Sequence, residues 1–109
     1  MIYVITVALE DPARNGAAVE RWVEQNFESW TRPMSGVWFV DSFINCDQIL
    51  NGMKPLLDAQ DRAVIAKTAM TDVIWHGVSD TNALWLAEQF PGSYSERIPG
   101  KEEGLIDQD

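Results

Sequence analysis

The chain opens with a run of apolar and β-branched residues that predicts a strand. Residues 2–9 (Ile-Tyr-Val-Ile-Thr-Val-Ala-Leu) are rich in the residue types that favour extended structure. Asp11 and Pro12 follow the run and are typical of a chain break. We therefore expect the first strand to end before Asp11.

The next segment, residues 16–28, has the spacing of an amphipathic helix. Its apolar side chains recur at intervals of three or four, which places them along one helical face. They are Val19, Trp22, Val23 and Phe27, and Glu20, Glu24 and Glu28 take the other side. One face of this helix is therefore expected to pack on a core.

A β-hairpin and a second helix are predicted after it. Residues 33–36 (Pro-Met-Ser-Gly) are turn formers, and residues 37–40 (Val-Trp-Phe-Val) predict the strand that follows a loop of about four residues. Asn45 and Gln48 stand three positions apart and predict a capping box at the start of the second helix. Pro55 predicts a kink or an end of that helix near residue 54.

The last predicted elements are a strand and a short helix. Residues 58–61 form a polar break, and residues 62–69 predict a strand. Asp80 is expected to cap a helix over residues 81–90, which Pro91 and Gly92 would end. The pattern over residues 70–79 is ambiguous.

The order of these elements predicts an α+β fold. Strand, helix, strand, strand, helix, strand is the βαββαβ pattern of a ferredoxin-like sandwich, an antiparallel four-stranded sheet with two helices on one face. A short C-terminal helix completes the predicted domain, residues 1–90. Residues 91–109 form an acidic, glycine- and proline-containing tail, which is typical of a mobile or partner-dependent segment.

The predicted strands are apolar on both sides, which indicates that a second layer covers the sheet. Two helices on one face leave the other face without cover, and large exposed apolar patches are uncommon on soluble monomers. A second copy of the chain is the simplest cover, and the terminal helix with the tail is the alternative. The interface predicted for this homodimer consists of Ile2, Val4, Ala8, Trp38 and Val40.

Composition and charge exclude several classes of function. The 109 residues include 17 acidic and 8 basic side chains, a formal charge of −9 that argues against sequence-independent nucleic-acid binding. A single cysteine, Cys46, and a single histidine, His76, exclude an internal disulfide and a zinc site of the Cys/His type. The apolar start is too short for a bilayer and has no basic leader region, so we expect a cytoplasmic protein without membrane association.

The candidate chemistry lies in a few carboxylates. Glu10 and Asp11 follow the first strand, where two copies could hold a magnesium ion, although Asp11 also suits a turn before Pro12. Asp58 and Asp61 are interpreted as turn formers. The remaining candidates are interpreted structurally as well: His76 as a loop histidine rather than a general base, and Cys46 as a buried thiol.

Several segments taken together resemble a known family. These segments are the first strand, residues 37–40, the Lys-Pro-Leu-Leu-Asp of residues 54–58 and the Asp-Arg-Ala-Val-Ile of residues 61–65. Together they resemble small bacterial proteins labelled "SinR family", which are similar to the Cas2-like superfamily. The resemblance covers roughly residues 2–90. It implies a ferredoxin-like fold, a homodimer, and a relation to CRISPR-adaptation Cas2 proteins and VapD-type ribonucleases, some of which are magnesium-dependent nucleases.

One departure from that family changes the expected function. The family's first strand typically ends with a metal-binding Asp, and the corresponding residue here is Ala8, which cannot ligate a metal. We therefore expect a non-catalytic Cas2-like homodimer, without a cofactor, that acts through protein contacts with a basic or nucleic-acid-binding partner. The alternative is a magnesium-dependent endoribonuclease with Glu10 and Asp11 as ligands. A nucleic-acid binder without catalysis is a third hypothesis.

Overall fold

The computed structural model describes residues 1–69 and 73–90, and the backbone of Tyr94–Ser95. It has an α+β fold, as predicted, with an antiparallel four-stranded sheet and three α-helices in the described residues. The elements are β1 (Ile2–Ala8), α1 (Pro12–Asn26), β2 (Ser29–Met34), β3 (Val37–Asp41), α2 (Cys46–Met53), a 3-10 turn (Lys54–Leu56), β4 (Arg62–Lys67), β5 (Ile74–Trp75), α3 (Asp80–Gln89) and β6 (Tyr94–Ser95). The chain divides into two compact units, Met1–Ala69 and Met70–Asp109.

The first unit is built on the four-stranded sheet. Its strand order is β2-β3-β1-β4, and every neighbouring pair is antiparallel. β1 is central, and Ile5 lies opposite Trp38 on one side and opposite Ile65 on the other. β2 and β4 form the two edges of this sheet.

The core lies on one face of that sheet. Alternate residues of β1, namely Tyr3, Ile5 and Val7, are buried because successive side chains of a strand point to opposite faces. The rest of the cluster comes from β3 and from α1 and α2 with their ends, and the predicted apolar stripe of α1 is part of it. The other buried members are Val19, Val23, Phe27, Trp38, Val40, Ile49 and Met53.

The predicted dimer interface combined residues from both faces of the sheet. Trp38 and Val40 are 2% and 0% exposed in the core, opposite Ile5 and Tyr3. This corrects the prediction for these two residues, since they face away from Ile2, Val4 and Ala8. The latter three lie on the opposite side of the sheet, which we call the outer face, where Ile2 and Val4 are half-buried and Ala8 is exposed. The homodimer itself stays a prediction.

The hairpin between β2 and β3 is tighter than predicted. Met34 pairs with Val37, so the turn contains only Ser35 and Gly36. Pro33 lies inside β2 rather than in the turn. The pairing of β2 with β3 shifts register between Thr31 and Met34, so Pro33 lies within this irregularity. A proline needs no ladder partner at such an irregularity of an edge strand.

The helix ends follow local rules with two exceptions. α2 begins with the predicted capping box, and it ends at Met53, where the 3-10 turn follows. α1 begins at Pro12 rather than near residue 16, since proline is favoured in the first turn of a helix. α3 is capped by Ser79, whose hydroxyl accepts a hydrogen bond from the Asn82 amide, and not by Asp80.

The second unit contains β5, α3 and β6. β5 and β6 pair in parallel, with Ile74 opposite Tyr94. The predicted end of the last helix at Pro91 and Gly92 lies outside the described residues, as does most of the predicted tail, and the domain boundary at residue 90 stays a prediction. Within the described ranges, no helix has the length and apolar character needed to cross a membrane.

Candidate functional site at the end of the first strand

Four polar side chains from distant parts of the sequence meet just beyond β1. Arg14 and Asn15 come from the first turn of α1, and Asp58 and Asp61 come from the turn before β4. We call these four residues the polar junction. It lies beside Glu10, one of the predicted metal ligands, so it is the candidate site of this chain.

Asp61 is the centre of the polar junction. Its Oδ1 accepts a hydrogen bond from the Glu10 amide at 2.8 Å, and its Oδ2 accepts from the Asp58 amide at 2.7 Å and from Asn15 Nδ2 at 2.9 Å. The backbone bond from Asp58, then those from Glu10 and Asn15, hold the pKa of Asp61 below its ordinary value. The ionised form is favoured, so Asp61 is a structural carboxylate and a poor general acid at neutral pH.

Asn15 connects α1 to the 3-10 turn and to the turn before β4. It is 8% exposed, and its Nδ2 donates to the Leu56 carbonyl at 2.8 Å as well as to Asp61. Its Oδ1 is buried and accepts no hydrogen bond from the described residues. Both amide protons are therefore used to hold backbone and carboxylate oxygens in place.

Arg14 and Asp58 form an ion pair at the surface of the polar junction. Arg14 Nη1 donates to Asp58 Oδ2, and this hydrogen bond, together with the charge of Asp58, raises the pKa of Arg14. Both side chains are well exposed, so water screens the pair and its contribution to stability is small. The pair nevertheless occupies one oxygen of Asp58 with a cation.

The predicted metal ligands lie at the edge of the polar junction without entering it. The side chains of Glu10 and Asp11 are exposed, and Glu10 contributes only its backbone amide. Asp11 precedes α1, but its side chain makes no capping hydrogen bond. Within residues 1–69 and 73–90, no three His, Cys, Asp or Glu side chains are grouped so that they could hold a metal ion.

The other residues considered for chemistry have ordinary surroundings. The turn-forming interpretation of Asp58 and Asp61 is confirmed by their mutual hydrogen bonds. Cys46 is a half-buried free thiol that packs against the core from the first turn of α2. Ala8 lies on the outer face opposite Arg62, and His76 follows β5 in the second unit.

Sequence reasoning missed Arg14 and Asn15. Their partners lie more than 40 positions away along the chain, so no local pattern brings them together. One signal was present, because Asn15 precedes Val19 by four residues and therefore shares the apolar face of α1. A polar side chain on such a face needs a hydrogen-bond partner.

A small cleft lies near the polar junction. It has a volume of about 110 Å³ and lies between the end of β1, the start of α1 and the hairpin turn, with Leu9, Gly16, Ser35 and Trp38 in its lining. The Trp38 indole N–H is buried and has no hydrogen-bond partner among the described residues. Glu20 also lines the cleft and pairs with Arg32 at 2.8 Å, which occupies its carboxylate.

No protein-family model, curated protein or solved structure matches the chain. Support for a function therefore comes from the residues and their contacts.

Proposed function

We propose that this chain is a non-catalytic homodimeric protein that acts through protein–protein contacts. The carrying observation is an apolar side chain exposed on the outer face at the edge of the sheet. Val64 of β4 is 66% exposed, and Ala66 beside it in the same strand is exposed as well. A second copy that covers this surface would remove apolar area from water, which favours association.

The contacts of the carboxylates support the non-catalytic part of the proposal. Asp61 is occupied by three hydrogen bonds within the first unit, and Asp58 is paired with Arg14. A general base or metal ligand needs a lone pair that is free for the substrate or the ion. These two carboxylates hold loops together instead.

The ferredoxin-like arrangement and the relation to the Cas2-like superfamily are part of the proposal. The strand order β2-β3-β1-β4, with α1 between β1 and β2 and α2 between β3 and β4, supports the arrangement. We carry over from that superfamily the fold and the dimer, and not its nuclease chemistry. The net charge of −9 would favour a basic partner, such as a nucleic-acid-binding protein.

Sedimentation velocity tests the homodimer. We expect the wild-type chain to sediment as a dimer at micromolar concentration, and we expect Val64→Asp to weaken association because it places a charge in the interface. Met34→Asp is the matched control, since Met34 is 61% exposed at the opposite edge of the same sheet. A wild-type chain that stays monomeric throughout the micromolar range would contradict the proposal.

A cleavage assay tests the absence of nuclease activity. The purified chain is incubated with labelled RNA and DNA in magnesium or manganese, beside the double variant Glu10→Ala/Asp11→Ala. We expect no metal-dependent cleavage by either protein. Metal-dependent cleavage by the wild type that the double variant abolishes would replace this proposal by a magnesium-dependent ribonuclease.

A further inference from the structure

β4 has an edge beside which no described strand lies, which we call its open edge, and the backbone groups along it can be assigned. The Thr68 amide donates to the Ile2 carbonyl at 2.8 Å, and the β1–β4 register continues from that pair. Hydrogen bonds in an antiparallel ladder alternate, so every second residue of β4 bonds to β1. The residues between them, Ala63, Ile65 and Lys67, direct their N–H and C=O groups away from β1, and no described strand pairs with them there.

The two edges of the sheet differ in their protection. β2 carries Pro33 and a register shift, two features that prevent another strand from pairing. β4 contains neither proline nor a register irregularity in its pairing with β1. Its only edge charges are Arg62 and Lys67 at the two ends of the strand. The open edge between them consists of alanine, valine and isoleucine.

The sequence of β4 is compatible with antiparallel pairing to itself. The outward-directed groups meet correctly when a two-fold axis places Ile65 opposite the Ile65 of a second copy. Ala63 then lies opposite Lys67, and Arg62 lies opposite Thr68, so no like charges face each other. On the outer face, the exposed Val64 packs beside Ala66 of the other copy.

We propose that two copies join through this edge, β4 against β4, around a two-fold axis at Ile65. The result is a continuous eight-stranded sheet, and every outward N–H and C=O of Ala63, Ile65 and Lys67 gains a partner. Val64 loses part of its exposure in the same step, because Ala66 of the other copy then lies beside it on the outer face. This inference rests on the proposed homodimer and specifies where its interface lies.

A proline substitution tests the hydrogen bonds of this edge. Ala63→Pro removes an amide proton that points outward, and leaves the β1–β4 bonds in place. Ala63→Val is the control of similar size that keeps the proton. In sedimentation velocity we expect the valine variant to dimerise like the wild type, and the proline variant to have a dissociation constant raised about tenfold or more, since the dimer loses two hydrogen bonds.

A disulfide test covers the case in which Ala63→Pro does not fold. In a Cys46→Ser background, Ile65→Cys places two thiols at the proposed axis, where paired Cα atoms lie about 5.5 Å apart, within disulfide range. Val64→Cys is the control. In the proposed register Val64 lies opposite Ala66 of the other copy, so the two cysteines at position 64 are not opposite each other. We expect oxidation to yield covalent dimer from Ile65→Cys at least about tenfold faster than from Val64→Cys.

The outcomes separate this inference from the function on which it rests. A wild-type dimer that persists in Ala63→Pro, or that crosslinks equally at both cysteine positions, overturns the β4 edge and leaves the homodimer standing. A monomeric wild type overturns the homodimer and this inference together.

Discussion

Asp61 shows how a single carboxylate can hold three segments of a chain. Its hydrogen bonds tie the loop after β1, the first turn of α1 and the turn before β4. The donors are two backbone amides and one side-chain amide, all of which stabilise the ionised form. The residue therefore links the stability of the first unit to pH.

Asp61→Asn is expected to lower the free energy of unfolding and to weaken its dependence on acid. The folded-state pKa of Asp61 lies below its ordinary value of 3.8, so its stabilisation is complete above that pH and is lost as pH falls through the lowered folded-state pKa. Urea titrations between about pH 2 and 7 measure the effect. Glu24→Gln, which removes an exposed carboxylate from α1, is the control and should keep the wild-type slope.

Gly36 is the residue at which the hairpin contacts β1. The Val7 amide donates to its carbonyl at 2.7 Å, and a Cβ at Gly36 would lie 2.5 Å from the Val7 carbonyl oxygen. Its φ of +79° is also in the left-handed region that glycine favours. Both the backbone conformation and the close approach therefore require glycine.

Gly36→Ala should destabilise the chain more than Gly77→Ala. Gly77 has a φ of +72°, and a Cβ there would meet no heavy atom of the described residues within 4 Å beyond its chain neighbours, so we expect alanine to cost the conformational strain, about 1–2 kcal/mol. Gly36→Ala adds a clash with backbone that cannot move aside. Thermal unfolding by circular dichroism gives the comparison, and equal losses for the two variants would contradict the close approach.

At the scale of elements, α1 and α2 approach each other through a glycine. A Cβ at Gly52 of α2 would lie 2.5 Å from Cζ2 of Trp22 of α1. The Trp22 ring is held by an edge contact with Phe27, at 5.8 Å between ring centroids. A rigid ring held in this way cannot shift cheaply, so this helix pair depends on the absence of a side chain.

Gly52→Ala and Gly16→Ala should have opposite effects. Alanine is favoured over glycine inside a helix by about 1 kcal/mol, and a Cβ at Gly16 would meet its nearest neighbours at an ordinary 3.8 Å. Gly16→Ala should therefore stabilise the chain by up to about 1 kcal/mol. Gly52→Ala should destabilise it by about 1–3 kcal/mol from overpacking, and denaturant titration distinguishes the two signs.

The sequence predicted well the elements that depend on contacts between residues close together in the chain, and less well those that depend on the position of a strand in the sheet. The capping box of α2 was predicted because Asn45 and Gln48 contact each other within one helical turn. The hairpin turn was predicted too long, since Pro33 is a turn former by sequence but lies in an irregularity of an edge strand. Residue types alone do not show which strands of a sheet become its edges.

At the scale of the whole molecule, charge opposes the proposed assembly. Each chain has a formal charge of −9, so two copies repel each other at long range. The surface proposed for their contact is locally different, because β4 has Arg62 and Lys67 at its ends and no acidic residue between them. Association would therefore combine a favourable local contact with an unfavourable overall field.

Salt should strengthen the proposed dimer. Dissolved ions shorten the screening length from about 14 Å near 0.05 M to about 4 Å near 0.5 M, so the repulsion between two acidic chains falls. We expect the dissociation constant, measured by sedimentation velocity, to fall several-fold over this range. A dissociation constant that rises with salt would show that attraction between opposite charges holds the two copies together.

The sequence by itself determined the α+β class, the apolar stripe of α1, the capping box of α2 and the turn-forming role of Asp58 and Asp61. Each of these depends on side chains a few residues apart, whose spacing is visible along the chain. The tertiary structure decided that Trp38 and Val40 face the core and not the predicted dimer interface, that Arg14 and Asn15 join Asp58 and Asp61, and that no described strand lies beside the outer edge of β4. These features depend on strand register and on contacts between distant segments, which the periodicity of a single segment does not encode.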